Sequence, residues 1–228
     1  MSTWTVQTAS GRLWWSMIHE MADYFARHGT EYLRLLFGHI MISLVSVLAA
    51  MLIAIPVGIL VYRSPIASRI AERGFGFLRI VPSLAVLIIL IPIMGTGLLP
   101  SMTALTILAV PPVLINTIQA FRTLPGTILE AAEGMGMDTG QIFFRVKLPL
   151  AFPLMFAGIR TAAIEVISSA TLASYIGAGG LGDLIFTGLA LLRSSLLIIG
   201  GGSVAALSLL TGFLLDSIYS HMTRYQRC

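Results

Sequence analysis

Five long apolar runs constrain the fold of this chain more than any other feature of its sequence. Each run approaches or exceeds the roughly 20 residues that an α-helix needs to cross the hydrocarbon core of a membrane. Of the 228 residues, 57% are hydrophobic, and the mean hydropathy is +0.92. A soluble domain of this size could not hide so much apolar surface. The sequence therefore predicts an all-α integral membrane protein with about five transmembrane helices, over residues 36–62, 77–94, 101–121, 150–173 and 196–218.

The basic residues between the runs predict the orientation of these helices. The first link carries four arginines, the last of them Arg79, against one glutamate. The second link (GTGLLP) carries no charge, the third carries three basic residues, and the tail adds Arg224 and Arg227. Cytoplasmic links are enriched in Lys and Arg. We therefore expect the first and third links and the C-terminus in the cytoplasm, and the N-terminus outside.

This pattern divides the chain into an N-terminal segment (residues 1–35), a transmembrane domain (residues 36–220) and a cytoplasmic tail (residues 221–228). Within the first segment, residues 12–27 (RLWWSMIHEMADYFAR) have apolar side chains at helical spacing, which predicts an amphipathic helix that ends at Gly29. Such a helix lies in the membrane interface or packs on the protein's own spans, and the sequence leaves both alternatives open.

The third link contains a polar stretch, residues 130–149 (EAAEGMGMDTGQIFFRVKLP), that concentrates five charges in a chain that is only 11% charged. Pro125 can begin a short helix, and Gly134 and Gly136 can loosen its end. A short rigid helix between flexible joints, on the cytoplasmic side, is suited to contact a soluble partner. The alternative is an ordinary solvated loop.

The same stretch resembles the EAA signature of ABC importer permeases, with Val146 in place of the usual isoleucine. A second resemblance covers residues 157–189, which include AGIRTAA and the glycine-rich ASYIGAGGLGDLIFTGL, and it points to the osmoprotectant (glycine betaine/carnitine/choline) branch of that family. The methionine branch has a related glycine-rich segment. The residues that match the signature at its spacing are Glu130, Ala131, Ala132, Gly136, Leu148 and Pro149.

The resemblance implies a permease subunit of type I, methionine-permease-like fold, in a bacterial cytoplasmic (inner) membrane. It implies a second permease subunit, identical or different, a cytoplasmic ATPase subunit and an external substrate-binding protein. ATP and Mg²⁺ would be bound by the ATPase, and no cofactor is implied for this chain. The expected substrates are small quaternary ammonium osmolytes. The ATPase contact would be made by Glu130, Ala131, Ala132, Gly134, Gly136, Leu148 and Pro149.

Two other functions are kept as alternatives. One is a methionine-type amino-acid importer, and the other is a secondary carrier that works without ATP. A carrier of that kind often shows an internal repeat, which this sequence lacks, and it needs no helix for contact with an ATPase. An intramembrane enzyme should show paired acids or histidine clusters in its spans, and a single acid, Glu165, is too little.

The residues proposed to line the transport pathway are Glu165, Ser169 and Asn116. Glu165 lies about 18 Å into the fourth span, and an acid at that depth is costly unless it has a function. On a helical wheel it shares a face with Ser169 and with the small residues Gly158 and Ala162. Glu165 either lines the pathway or makes a structural hydrogen bond or ion pair, and Asn116 has the same two alternatives.

Other motifs exclude several classes of function. Gly177, Gly179 and Gly182 satisfy G-x-G-x-x-G, but they follow a transmembrane run rather than a strand, so we reject a dinucleotide site. The four histidines show no metal spacing, and no P-loop is present, so ATP hydrolysis by this chain is not expected. The net charge of +4 suits an anionic inner leaflet rather than nucleic acid.

Overall fold

A computed structural model describes residues 3–222 of the chain, and the side chains of residues 14–222. The described part contains helices and connecting turns and no strand, which confirms the all-α prediction. The C-terminal residues 223–228, including Arg224, Arg227 and Cys228, lie outside it. The helices are α1 (Thr3–Val61), α2 (Pro65–Leu78), α3 (Ser83–Met94), α4 (Leu98–Arg122), α5 (Gly126–Gly134), α6 (Thr139–Gln141), a π-helical turn (Ile142–Lys147), α7 (Leu148–Ala173), a 3₁₀ turn (Ser174–Ile176), α8 (Gly182–Ala190) and α9 (Ser194–Met222).

Helix α4 is the centre of the bundle, with α1 and α7 packed against it. Leu105, Leu114 and Ile118 of α4 are fully buried. Pro111 and Pro112 are also fully buried inside α4. Proline is tolerated in a membrane helix when neighbouring groups satisfy the carbonyls that it frees. The carbonyls that lose their usual amide partners here are those of Ile107 and Leu108. Separately, the Asn116 side chain donates a hydrogen bond to the Pro112 carbonyl of the same helix, with the two atoms 2.8 Å apart.

Two glycines allow the helices beside α4 to approach it closely. A Cβ atom on Gly158 of α7 would lie 2.6 Å from Asn116 Cβ and 2.7 Å from the Pro112 carbonyl oxygen. A Cβ atom on Gly58 of α1 would lie 2.8 Å from Thr117 Cγ2. Small residues at such contacts let membrane helices gain packing energy from close backbone approach. The glycines therefore join α1, α4 and α7 into one unit.

The links between helices fall at two ends of the bundle, in the grouping that alternating spans require. At one end, Tyr62 stacks on Phe121 with ring centroids 4.9 Å apart, so the first and third links lie together. At the other end, the Gly97 amide donates to the Ile176 carbonyl at 2.7 Å, so the second link lies beside the segment after α7. Which end faces the cytoplasm stays a prediction.

The second predicted span is broken, and this corrects the expected boundaries 77–94. Helix α2 ends at Leu78 and helix α3 begins at Ser83, and the axes of the two helices differ by 91°. Pro82 has no amide hydrogen and disfavours helical geometry at Val81, so the helix cannot run through the apolar stretch. Arg79 therefore lies at a break inside the second span rather than in a simple surface link. The four helical stretches that are individually long and apolar enough to cross a membrane are Trp14–Val61, Leu98–Arg122, Thr139–Ile176 and Ser194–Met222.

The predicted end of the N-terminal helix at Gly29 is confirmed to within one residue, because α1 consists of two helices that meet at a kink. Helix α1 continues through Gly29 to Val61, with a kink at His28 (φ −120°, ψ 21°). Met21 and Tyr24 pack against a buried cluster that includes Ile199 of α9. The described part of the segment thus packs on the protein's own spans and leaves large apolar side chains exposed, among them Trp14, Trp15 and Ile18.

The close contact at Gly158 gives a first prediction. We expect Gly158→Ala to destabilise the protein by about 1–3 kcal/mol, because a Cβ atom there must push α7 away from α4. The measurement is the thermal unfolding midpoint of the purified protein in detergent. The matched control is Gly201→Ala in α9, where a Cβ atom would meet nothing within 4 Å. Equal midpoints for the two variants would contradict the proposed packing.

Candidate functional site

The polar stretch of the third link forms a short surface helix, α5, as the sequence predicts. Pro125 precedes its first residue, Gly126, and the helix ends at Gly134. Glu130 and Ala131 are exposed, whereas Ala132 is almost completely buried. One face of α5 is therefore packed against the protein, and the other is available to a partner.

Gly136 has a specific structural role at the end of α5. Its backbone φ is +77°, a left-handed conformation that side chains other than glycine rarely adopt. Its amide donates to the Glu133 carbonyl at 2.9 Å, and the Met137 amide donates to the Ala132 carbonyl at 3.2 Å. This pattern closes the helix in the way that a glycine after a helix end commonly does. The signature glycine thus fixes the direction in which the chain leaves α5.

The return from α5 to the membrane is held by a capping box. The Asp138 carboxylate accepts from the Gln141 amide at 2.9 Å, and the Gln141 side chain accepts from the Asp138 amide at 3.3 Å. A π-helical turn follows and leads into α7, where Leu148 and Pro149 occupy the first turn. Pro149 cannot donate a backbone hydrogen bond to the preceding turn, which favours such an irregularity at this point.

A stack of aromatic rings connects this segment to the bundle. Phe143 of the π-helical turn lies parallel to Phe121 of α4, with ring centroids 5.8 Å apart and an interplanar angle of 2°. Phe121 in turn stacks on Tyr62, just after α1. The sequence contains a signal for this contact that we did not use, the apolar triplet Ile142–Phe143–Phe144 within an otherwise polar stretch. The stack offers a path by which a displacement of α5 can reach α1 and α4.

The predicted pathway face of α7 is divided between two environments. Gly158, Ala162 and Ser169 are buried, so they belong to the packed side of the helix. Glu165 is half-buried and borders a second face, on which Thr161 and Ser168 are exposed. The positions 161, 165 and 168 follow helical spacing and form a polar stripe, which we call the α7 stripe.

Asn116 makes a structural hydrogen bond, which is one of the two alternatives that the sequence leaves open for it. Its side-chain amide donates to the carbonyl of Pro112 in its own helix, and it lies in the close contact between α4 and α7. The pathway role of Asn116, Ser169 and Glu165 stays a prediction. Of the three, Glu165 borders the exposed surface most openly, whereas Ser169 is only 9% exposed.

Glu165 lies near the break between α2 and α3. Helix α3, which begins just after the break that carries Arg79, packs against α7, which carries Glu165. Among the described residues, neither side chain forms an ion pair within 4.0 Å. Arg160, the basic residue of α7, does form an ion pair, since its Nε lies 2.7 Å from a carboxylate oxygen of Asp216 in α9. Arg160 is thus paired between helices instead of extending alone to the membrane surface.

The glycine-rich segment after α7 is an irregular turn at the other end of the bundle. Gly177, Gly179 and Gly180 all have positive φ values, between 78° and 93°. A Cβ atom on Gly180 would lie 3.1 Å from Nδ1 of the buried His39. Burial raises the pKa of Asp183, which lies in the first turn of α8. These glycines serve close backbone packing, in keeping with the rejection of a dinucleotide site.

Comparison with known proteins matches residues 46–226 to the family described as binding-protein-dependent transport system inner membrane component. The chain is 40% identical over 203 residues to the carnitine transport permease protein OpuCB of Listeria monocytogenes, covering 89% of this chain and 93% of that protein. It is 37% identical over 198 residues to the choline transport system permease protein OpuBB of Bacillus subtilis, covering 87% and 91%.

Among solved structures, the chain resembles one from the inward-facing MetNI methionine ABC transporter, with a TM-score of 0.75, 25% identity, and coverage of 84% of this chain and 96% of that one. This likeness confirms the methionine-permease-like fold. Together with the family match over most of the sequence, it means that the chain belongs to the binding-protein-dependent inner membrane components, the permease subunits of ABC transporters.

Proposed function

We propose that this protein is the permease subunit of an ATP-driven importer for small quaternary ammonium osmolytes, such as glycine betaine, choline or carnitine. The observation that carries the proposal is the similarity to permeases of carnitine and choline transport over 87–89% of the chain. The exposed α5 helix supports it, because such an importer needs a contact through which an ATPase can act.

In this proposal the ATPase subunit binds α5 in the cytoplasm, and it binds and hydrolyses ATP with Mg²⁺. Closure of the ATPase displaces α5, and the displacement passes through Phe143 to Phe121 and Tyr62. The close glycine contacts then carry it to the α1, α4 and α7 unit as a rigid body. The pathway opens to one side of the membrane and then to the other.

The assembly needs three further partners in this account. A second permease subunit, a copy of this chain or a different one, completes the pathway. An external binding protein delivers the substrate. The lipid bilayer is a bacterial inner membrane, with the N-terminus of this chain outside and its C-terminus in the cytoplasm. The grouping of the first and third links with α5 at one end of the bundle supports this orientation.

The substrate prediction is tested by uptake into liposomes that contain the full assembly, with binding protein and ATP. We expect uptake of radiolabelled glycine betaine, choline or carnitine to require ATP inside the liposome, and unlabelled osmolytes to compete with it. Methionine should not compete. Uptake of methionine alone would assign the chain to a methionine-type importer. Osmolyte uptake that does not depend on ATP would instead favour a secondary carrier.

The contact prediction uses a charge reversal on α5. Because Glu130 is exposed on the face available to a partner, Glu130→Lys should reduce co-purification of the ATPase and ATP-driven uptake together. Glu20→Lys, an equally drastic change at an exposed acid of α1, is the control and should retain both. The assignment of α5 fails if Glu130→Lys retains a normal amount of ATPase and normal uptake.

The transmission prediction separates binding from coupling. Phe143→Ala removes the ring that joins the π-helical turn to α4, so we expect the ATPase to remain bound while uptake per ATP hydrolysed falls at least about fivefold, as for loss of a typical coupling free energy. Phe213→Ala on the exposed face of α9 is the control. Unchanged uptake per ATP in the Phe143 variant would show that the stack does not transmit the movement.

A further inference from the structure

We propose that the break between α2 and α3, together with the α7 stripe, forms one wall of the transport pathway, where Arg79 contacts the carboxylate and Glu165 the quaternary ammonium group of a zwitterionic osmolyte. This inference rests on the proposed function and adds to it the part of the pathway that recognises both charges of the substrate.

The first argument is the polarity of the α7 stripe. Thr161 and Ser168 are exposed, and Glu165 lies between them. Large parts of the exposed surface of α1 and α9 are apolar by contrast, and there Leu52 is 77% and Phe213 68% exposed. Ionisable residues at membrane depth almost always face the interior of a bundle or a water-filled cavity. The α7 stripe therefore faces water or protein, whereas the exposed sides of α1 and α9 suit lipid.

The second argument is the exposed backbone at the break. Helix α3 has 12 residues, about 18 Å, and it ends near the level where Gly97 meets Ile176. The break is consequently near half the depth of the membrane. Arg79 and Pro82 are exposed there, and Ile80 is 75% exposed. Non-helical backbone at this depth is tolerated only when it is covered by protein or lines an aqueous cavity.

The third argument is that the two features lie side by side. Helix α3, which begins just after the break that carries Arg79, packs against α7, which carries Glu165. A cation and an anion thus lie on neighbouring elements, and the two side chains form no ion pair with each other within 4.0 Å. The N-terminal end of α3, which follows Arg79, adds partial positive charge on the same side. Transporters of several folds bind substrate at such breaks near the membrane centre.

The chemistry of the pair matches that of a betaine. The planar guanidinium of arginine binds a carboxylate through two parallel hydrogen bonds. A quaternary ammonium group cannot donate a hydrogen bond, so the carboxylate of Glu165 attracts it through charge alone. Tight sites for this group commonly use aromatic cages, and no aromatic side chain lies between Phe156 and Tyr175 of the sequence. The α7 side of the wall therefore offers no such cage, which suits a site that the substrate only passes.

The test measures uptake of labelled glycine betaine and of choline, which lacks a carboxylate, by the full assembly with its binding protein in liposomes. We expect Arg79→Gln to lower glycine betaine uptake at least about tenfold, because both charge-assisted hydrogen bonds to the carboxylate are lost, and to affect choline less. Glu165→Gln should lower both. Arg79→Lys, which keeps the charge but not the planar guanidinium, should retain more glycine betaine uptake than Arg79→Gln. Arg73→Gln, at an exposed arginine of α2, is the matched control.

The outcomes are separable. If the wild-type assembly transports no osmolyte, the proposed function fails. If it transports glycine betaine and Arg79→Gln does so equally well, the inference fails and the function stands. If the Gln variants lose uptake only in proportion to a loss of assembled complex or of thermal stability, the pair belongs to an interface between permease subunits and the inference is overturned. If choline is not a substrate of the wild type, the decisive comparison is Arg79→Gln against Arg79→Lys.

Discussion

A membrane supplies no water to the backbone at its centre, and the rest of this structure depends on that constraint. It explains why four helical stretches are long and apolar enough to cross a membrane and why many exposed side chains on α1 and α9 are apolar. The same constraint also makes the polar and non-helical features of the exposed surface informative. The exposed break at residues 79–82 and the α7 stripe are the kinds of feature that lipid would penalise, so their position identifies the side of the bundle that does not face lipid.

Close packing around α4 turns the helices into a mechanical unit. Gly58 and Gly158 bring α1 and α7 against neighbouring residues of α4, Thr117 and Asn116, where any side chain would collide. The aromatic stack joins this unit to the π-helical turn, and the capping box at Asp138 fixes the turn relative to α5. Helices packed this closely move together as a rigid body rather than deform continuously, because their side chains are already in contact. A movement imposed on α5 can therefore change the exposed side of the pathway.

Much of the fold could be predicted from the sequence, because its causes are local. Apolar length gives the spans, Pro125 the start of α5, and Gly136 the left-handed turn at its end. The break in the second span was missed because residues 77–94 read as one apolar run, and the hydropathy of Ile80 and Val81 concealed the effect of Pro82. The kink at His28 is predictable to within one residue because Gly29 disfavours a helix interior, whereas only the structure shows that a second helix begins directly after it.

The site was only partly predictable, because its geometry is not local. The matching letters of the signature located α5, but the stacking of Phe143 on Phe121 depends on how α4 and the π-helical turn meet in space. A helical wheel puts Glu165 and Ser169 on one face of α7. In the structure, however, Glu165 borders the exposed edge of the helix, and Ser169 lies on its buried side. No sequence pattern relates Arg79 to Glu165, since Arg79 lies at the break and Glu165 in α7, and only the packing of α3 against α7 makes these elements neighbours.

The measurement that tests the central claim most directly is the reactivity of single cysteines toward a charged, membrane-impermeant thiol reagent in the full assembly. The chain has one cysteine, Cys228, so the background is Cys228→Ser. We predict that Thr161→Cys and Ser168→Cys react from one side of the membrane, that trapping the ATP-bound state changes the side or the rate, and that Leu52→Cys does not react in either state. Unreactive cysteines on the α7 stripe in both states would contradict the account, because the stripe would then be sealed from water throughout the transport cycle.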